Sequence, residues 1–128
     1  MTGAVAALVG DGGAGASSGG TPGAVTWGPM YGIDSVASNT QTLSGFTGTK
    51  SISAALSGGG ILTYLLNGAP TAYTGAFTVH NGDTLAWAIS VDHVAKAGNL
   101  TVTNVTDSTT LATIVYAVDT SWDGTGYR

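Results

Sequence analysis

The chain has 128 residues, three basic side chains against seven acidic ones, and a formal net charge of −4. That length suits one domain. Lys50, Lys96 and Arg128 are scattered. They make no basic stripe of the kind that neutralises phosphates, which argues against a nucleic-acid partner. Cysteine is absent, so disulfides, thiolate nucleophiles and Cys-based zinc sites are excluded.

Residues 1–23 read as an N-terminal arm. Ala4-Val5-Ala6-Ala7-Leu8-Val9 is a short apolar segment, and Gly10 to Gly23 is a Gly/Ser/Ala run, the composition of a flexible linker. Met1 to Ala16 has no positively charged n-region, and its apolar stretch is too short for a signal peptide. No run of the sequence is long enough to span a membrane. The arm is expected to be held by a neighbouring copy or a partner surface, with Val5, Leu8 and Val9 as its anchors.

Residues 24–119 read as one β domain. Candidate strands are Val25–Tyr31, Thr40–Phe46, Lys50–Leu56, Ile61–Leu66, Ala72–Val79, Thr84–Val91, Leu100–Val105 and Leu111–Val118. One strand per 8–12 residues is the spacing of a sandwich or barrel. Leu85, Trp87 and Ile89 alternate with small residues, as do Ile52, Ala54 and Leu56 with their neighbours, and period two is the strand signature. Leu111–Val118 is apolar on both faces, which suits a central strand or a subunit contact. Gly58-Gly59-Gly60 is read as a hairpin turn. Asn67-Gly68 and Asn81-Gly82-Asp83 supply residues that tolerate positive φ. Lys96–Asn99 and Thr106–Thr109 are read as further turns. All seven acids are aspartates, which favour turns over helix interiors. Residues 120–128 form a C-terminal tail.

Motifs that carry chemistry are weak. Gly10-Asp11-Gly12-Gly13-Ala14-Gly15 matches a dinucleotide-binding fingerprint in letters. The segment after it, Ser17–Gly23, is among the poorest helix formers, so no helix N-terminus can hold a pyrophosphate. His80 and His93 flank turns, with no GxSxG elbow to set a serine beside them. Asp119 and Asp123 beside Gly124 resemble part of a calcium loop but lack the remaining oxygen ligands. Asp92 with His93 needs a distant third ligand. No catalytic residue, cofactor or metal is expected. Two sequons, Asn99-Leu100-Thr101 and Asn104-Val105-Thr106, have no signal peptide to give them meaning.

The aromatics divide by context. Trp87 is expected in the core, and Tyr64 and Tyr116 in the core or on a face. Trp27, Tyr31, Trp122 and Tyr127 lie in loops or terminal segments. They suit either a sugar platform or interface anchors, and aromatic enrichment at interfaces favours the second.

Trp27, then Thr40–Phe46, then Leu62-Thr63-Tyr64-Leu65-Leu66-Asn67-Gly68, then Tyr73–Trp87 with Val79-His80-Asn81-Gly82-Asp83-Thr84-Leu85 at its centre, stand in a recognisable order. Leu100–Val105 and a final apolar strand complete it. Over about residues 25–118 the chain resembles the Ig-like modules of phage and prophage virion structural proteins. The resemblance implies an all-β, Ig-like antiparallel β-sandwich carrying an extended Gly-rich N-terminal arm. It implies a non-enzymatic virion component, most like a capsid decoration (cement) protein that stabilises the shell by binding coat subunits. Its partners would be the major capsid protein and its own copies as a homotrimer, with neither nucleic acid nor membrane. It would be made in the host bacterial cytoplasm and sit on the capsid surface. The alternative is a tail or fibre-associated module binding host-surface glycans. The resemblance carries turns and core, and no site residues.

Overall fold

The computed structural model describes residues 19–121. The strands are β1 (Met30–Ile33), β2 (Ser35–Ala37), β3 (Gln41–Thr42), β4 (Thr49–Leu56), β5 (Ile61–Leu66), β6 (Ala69–Ala72), β7 (Phe77–His80), β8 (Thr84–Ser90), β9 (Lys96–Asn104) and β10 (Thr109–Asp119). One five-stranded sheet runs β1-β10-β9-β4-β7; the other runs β2-β8-β5-β6, with β3 also paired to β8. All pairs are antiparallel except β1 with β10. The domain is an all-β sandwich.

Period two decides which side chains meet between the sheets. Leu85, Trp87 and Ile89 of β8 face Ile52, Leu100, Val102, Ile114 and Tyr116 of the other sheet in one buried cluster. Irregular segments add Trp27, Leu43 and Phe46 to it. Phe77 stacks on Tyr64 with ring centroids 3.8 Å apart and meets Trp87 edge-on at 6.1 Å. These ring contacts tie β7 of the first sheet to β5 and β8 of the second. β10 lies between β1 and β9. Ile114, Tyr116 and Val118 are buried while Val115 on the other face is exposed, so a central place in the sheet accounts for one of its two apolar faces.

Several segments differ from the sequence reading. Residues 25–29 are irregular, and the first strand begins at Met30 after Pro29. The stretch 72–79 is two elements: β6 pairs with β5, and β7 pairs with β4 in the other sheet. Lys96–Asn99 is not a turn but the first part of β9, paired with β10 and running on towards β4. Asn67-Gly68 does close a two-residue hairpin, with both residues at positive φ (53° and 85°), as a tight primed turn requires.

Gly58-Gly59-Gly60 is not a hairpin turn either. It carries the chain from β4 in one sheet to β5 in the other. The arch is pressed against β9: a Cβ at Gly58 would stand 1.7 Å from the Ala97 carbonyl oxygen. Buried Tyr116 holds it there. The Tyr116 hydroxyl accepts the Gly58 N–H (3.0 Å) and donates to the Gly59 carbonyl (2.7 Å).

The register places the two ends of the described chain at opposite poles. At one pole, Gly19 and Gly23 hydrogen-bond to the 44–47 loop: Gly23 N–H to Ser44 O, Thr47 N–H to Gly19 O, and Gly19 N–H to Thr47 Oγ1. The last part of the arm is thus laid along the domain. At the other pole, Asp34 holds Ser121.

Candidate docking surface

The outward positions of the first sheet are Tyr31 and Ile33 on β1, Thr113, Val115 and Ala117 on β10, Asn99, Thr101 and Thr103 on β9, and Ser51, Ser53 and Ala55 on β4. The outward positions of the second are Ile61, Thr63 and Leu65 on β5, Ala86, Ala88 and Ser90 on β8, and Ser35 and Ala37 on β2. Asp119, the next outward position on β10 and the partner of Ile33, is exposed at the tail-pole end of the first sheet, and no other Asp, Lys or Arg stands among the outward positions. The charged residues of the described chain lie at its poles. Asp83, Asp107 and Lys50 are at the arm pole; Asp34, Asp92, Lys96 and Asp119 are at the tail pole. Alternation explains this: outward positions are filled by Ser, Thr and Ala, and the aspartates are spent on turns. Two broad faces result, uncharged away from their ends and made mostly of small residues. Tyr31 and Ile33 are the most exposed large apolar side chains on the first, at 65% and 63%. Beside them, Ala95, Ala97, Ala117 and Asp119 help to line an open hollow of about 260 Å³.

The expected anchors fare differently. Tyr31 stands on the edge strand β1, exposed. Trp27 is not available as an anchor or as part of a sugar platform: it is 4% exposed, edge-on to Trp87 at 5.8 Å, and its indole N–H donates to the Leu85 carbonyl at 2.9 Å. Thr26 and Pro29 on either side are exposed, but the Trp27 side chain itself is turned into the core. Val5, Leu8, Val9, Trp122 and Tyr127 lie outside the described residues, as does the glycine fingerprint at 10–15.

The polar sites at the turns are built for structure. The Asp83 carboxylate accepts the His80 backbone N–H (2.7 Å) and the Asn67 amide (3.0 Å), with the His80 ring nitrogen 3.7 Å away. Burial pushes its pKa up. The Asn67 and His80 hydrogen bonds and the neighbouring imidazole outweigh that and hold it below the ordinary value. His80 therefore faces a carboxylate already committed to two ordering contacts. His93 sits at positive φ (62°) beside Asp92. Among the described residues, no three His, Cys, Asp or Glu side chains gather as a metal site. No described helix is long and apolar enough to cross a membrane.

Two polar arrangements were not read from the sequence. One is the Asp34 latch: its Oδ1 accepts the Ser121 N–H (3.0 Å) and its Oδ2 the Ser121 hydroxyl (2.7 Å). The Ser121 hydroxyl, then its backbone N–H, hold the Asp34 pKa below the ordinary value. A carboxyl that is more acidic folded than unfolded contributes stability above its unfolded pKa of about 3.9 and loses it as pH falls through the folded value. The melting temperature is therefore expected to drop as pH is taken below about 4, and Asp34→Asn to flatten that drop. Melts followed by circular dichroism across pH check this; an unchanged slope in the variant removes Asp34 as a cause.

The other is a buried cluster at the arm pole. Lys50, 1% exposed, brings Nζ to 2.9 Å from Asp107 Oδ2. The Asn104 amide, wholly buried, donates to the same oxygen at 2.7 Å. The signal for Lys50 was in the alternation: it is the next inward position before Ile52 and Ala54. Nothing local points to its partners.

No family model, curated protein or solved structure matches this chain.

Proposed function

We propose that this chain is a non-enzymatic structural module of a phage-type virion, a capsid decoration protein that stabilises the shell by docking onto coat subunits. The observation that carries the reading is the distribution of charge: away from their ends both broad faces are uncharged, with Ser, Thr and Ala at most outward positions and a few exposed apolar side chains, and charge is concentrated towards the poles. Covering such a face away from its ends desolvates no ion, and desolvation of ions is the main cost of burying a surface. Exposed edges such as β1 also offer unpaired backbone for strand addition. The order of sequence motifs over about residues 25–118, which resembles that of Ig-like virion modules, supports the same reading. The arm adds reach, and repetition on a symmetric lattice multiplies weak contacts. Self-association as a trimer belongs to the same proposal. Glycan binding at a tail or fibre ranks below it, because burial of Trp27 removes one of the four aromatics that such a platform would use.

The test is to add the full chain to shells lacking it and image the product. Decoration predicts many ordered copies across the shell. Removal of residues 1–18, which spares the Gly19–Gly23 contacts, should abolish binding without lowering the melting temperature. A few copies at a tail tip would overturn the assignment. Undiminished shell binding without residues 1–18 would overturn the anchoring role of the arm.

A further inference from the structure

The cluster of Lys50, Asn104 and Asp107 has a chemistry that docking does not use. Lys50 and Asn104 are both inward-facing, on the neighbouring strands β4 and β9. Ile52 stands opposite Asn104, and Val79 opposite Lys50, so the surroundings are apolar. The Lys50 ammonium touches Asp107 Oδ2 at 2.9 Å, but among the described residues no contact meets hydrogen-bond geometry for this buried nitrogen. A buried ammonium so poorly satisfied is costly. The Asn104 amide nitrogen lies against the same carboxylate oxygen at 2.7 Å. The Asp107 backbone N–H points at the Asn104 side-chain oxygen Oδ1 at 3.4 Å. An amine, a carboxamide, a shared carboxylate and a donor aimed at the side-chain carbonyl oxygen are thus held together, the amine and carboxamide buried and the carboxylate at the rim of the site, 26% exposed. Those are the parts that acyl transfer to an amine needs.

We propose that Lys50 and Asn104 condense to an intramolecular isopeptide bond, with Asp107 as the proton carrier. Lys50 Nζ gives a proton to Asp107 and attacks Asn104 Cγ. The oxygen of the tetrahedral intermediate is met by the Asp107 N–H. Asp107 passes the proton to Nδ2, the Cγ–Nδ2 bond breaks, and the second proton lost from Nζ also reaches the departing nitrogen. One amide replaces another, ammonium leaves, and Asp107 ends as it began. No oxidant, metal or cofactor enters. The product joins the two neighbouring strands of the first sheet covalently and removes the buried charge. In a chain without cysteine, it serves as a disulfide would. The inference stands independently of the virion reading.

The intact mass of the purified full-length chain tests this. It should fall short of the sequence mass by one ammonia, and a digest should yield a single branched peptide joining Lys50 to Asn104. Lys50→Arg and Asn104→Ala should each restore the full mass. Asp107→Ala should leave both side chains unlinked; if that variant does not fold, the Lys50→Arg mass together with the wild-type peptide map still decides the matter. A full-mass wild type overturns the proposal. So does an ammonia loss that maps to Asn67 or Asn81 as a succinimide, with Lys50 still cleaved by trypsin.

Discussion

Gly58→Ala is expected to be among the most damaging single substitutions in this domain, at about 4 kcal/mol or more. The added methyl would lie 1.7 Å from Ala97 O and 2.6 Å from Ala97 C. Both are backbone atoms of β9, so no rotamer change relieves the contact. The arch must lift, and lifting it breaks both hydrogen bonds to the Tyr116 hydroxyl, leaving a buried phenol unsatisfied. Gly68→Ala separates space from conformation. Gly68 has positive φ (85°), but an added methyl would meet nothing within 4 Å, so only left-handed backbone strain of about 1–2 kcal/mol applies. Urea unfolding of the two variants checks the order. Equal losses would mean that the close approach of the arch to β9 contributes nothing.

Trp87→Ala carries the second large effect, a loss of about 3–5 kcal/mol. Trp87 is fully buried and is where the aromatic contacts converge: Trp27 at 5.8 Å and Phe77 at 6.1 Å. Truncation leaves a cavity at the junction of both sheets, which close packing cannot fill by small shifts. Among the described residues, however, the indole N–H has no hydrogen-bond partner, so part of the residue works against stability. Trp87→Phe keeps an aromatic ring and deletes that unsatisfied donor. It is expected to lose much less than the alanine variant, with a difference of at least about 2 kcal/mol in denaturant unfolding. If phenylalanine is as damaging as alanine, the fit of the indole outweighs the unsatisfied donor.

The mostly uncharged faces and the buried Lys50 cluster were legible to different degrees. The faces follow from alternation, since Ser, Thr and Ala fill the positions between inward apolar residues. The same alternation places Lys50 inward, beside Ile52 and Ala54. What it cannot show is that Asp107, on a turn after β9, and Asn104, at the end of β9, return to that spot. Ion-pair and amide contacts between residues so far apart exist only once β4 and β9 are in register.

By itself the sequence determined the class: strands of period two, positive-φ residues at Asn67-Gly68, a turn at 81–83 and one at 106–109 (of which Thr109 opens β10), and Trp87 in the core. These are local properties, because burying one face of a strand forces alternation and a tight turn demands particular φ angles. Only the tertiary structure decided which sheet each strand joins. It split residues 72–79 between two sheets, turned the triple glycine from a hairpin into an arch, drew Trp27 inside, and assembled Lys50, Asn104 and Asp107. Each of these depends on pairing between distant segments, which is chosen by the fit of the whole core and leaves no mark in a short window of sequence.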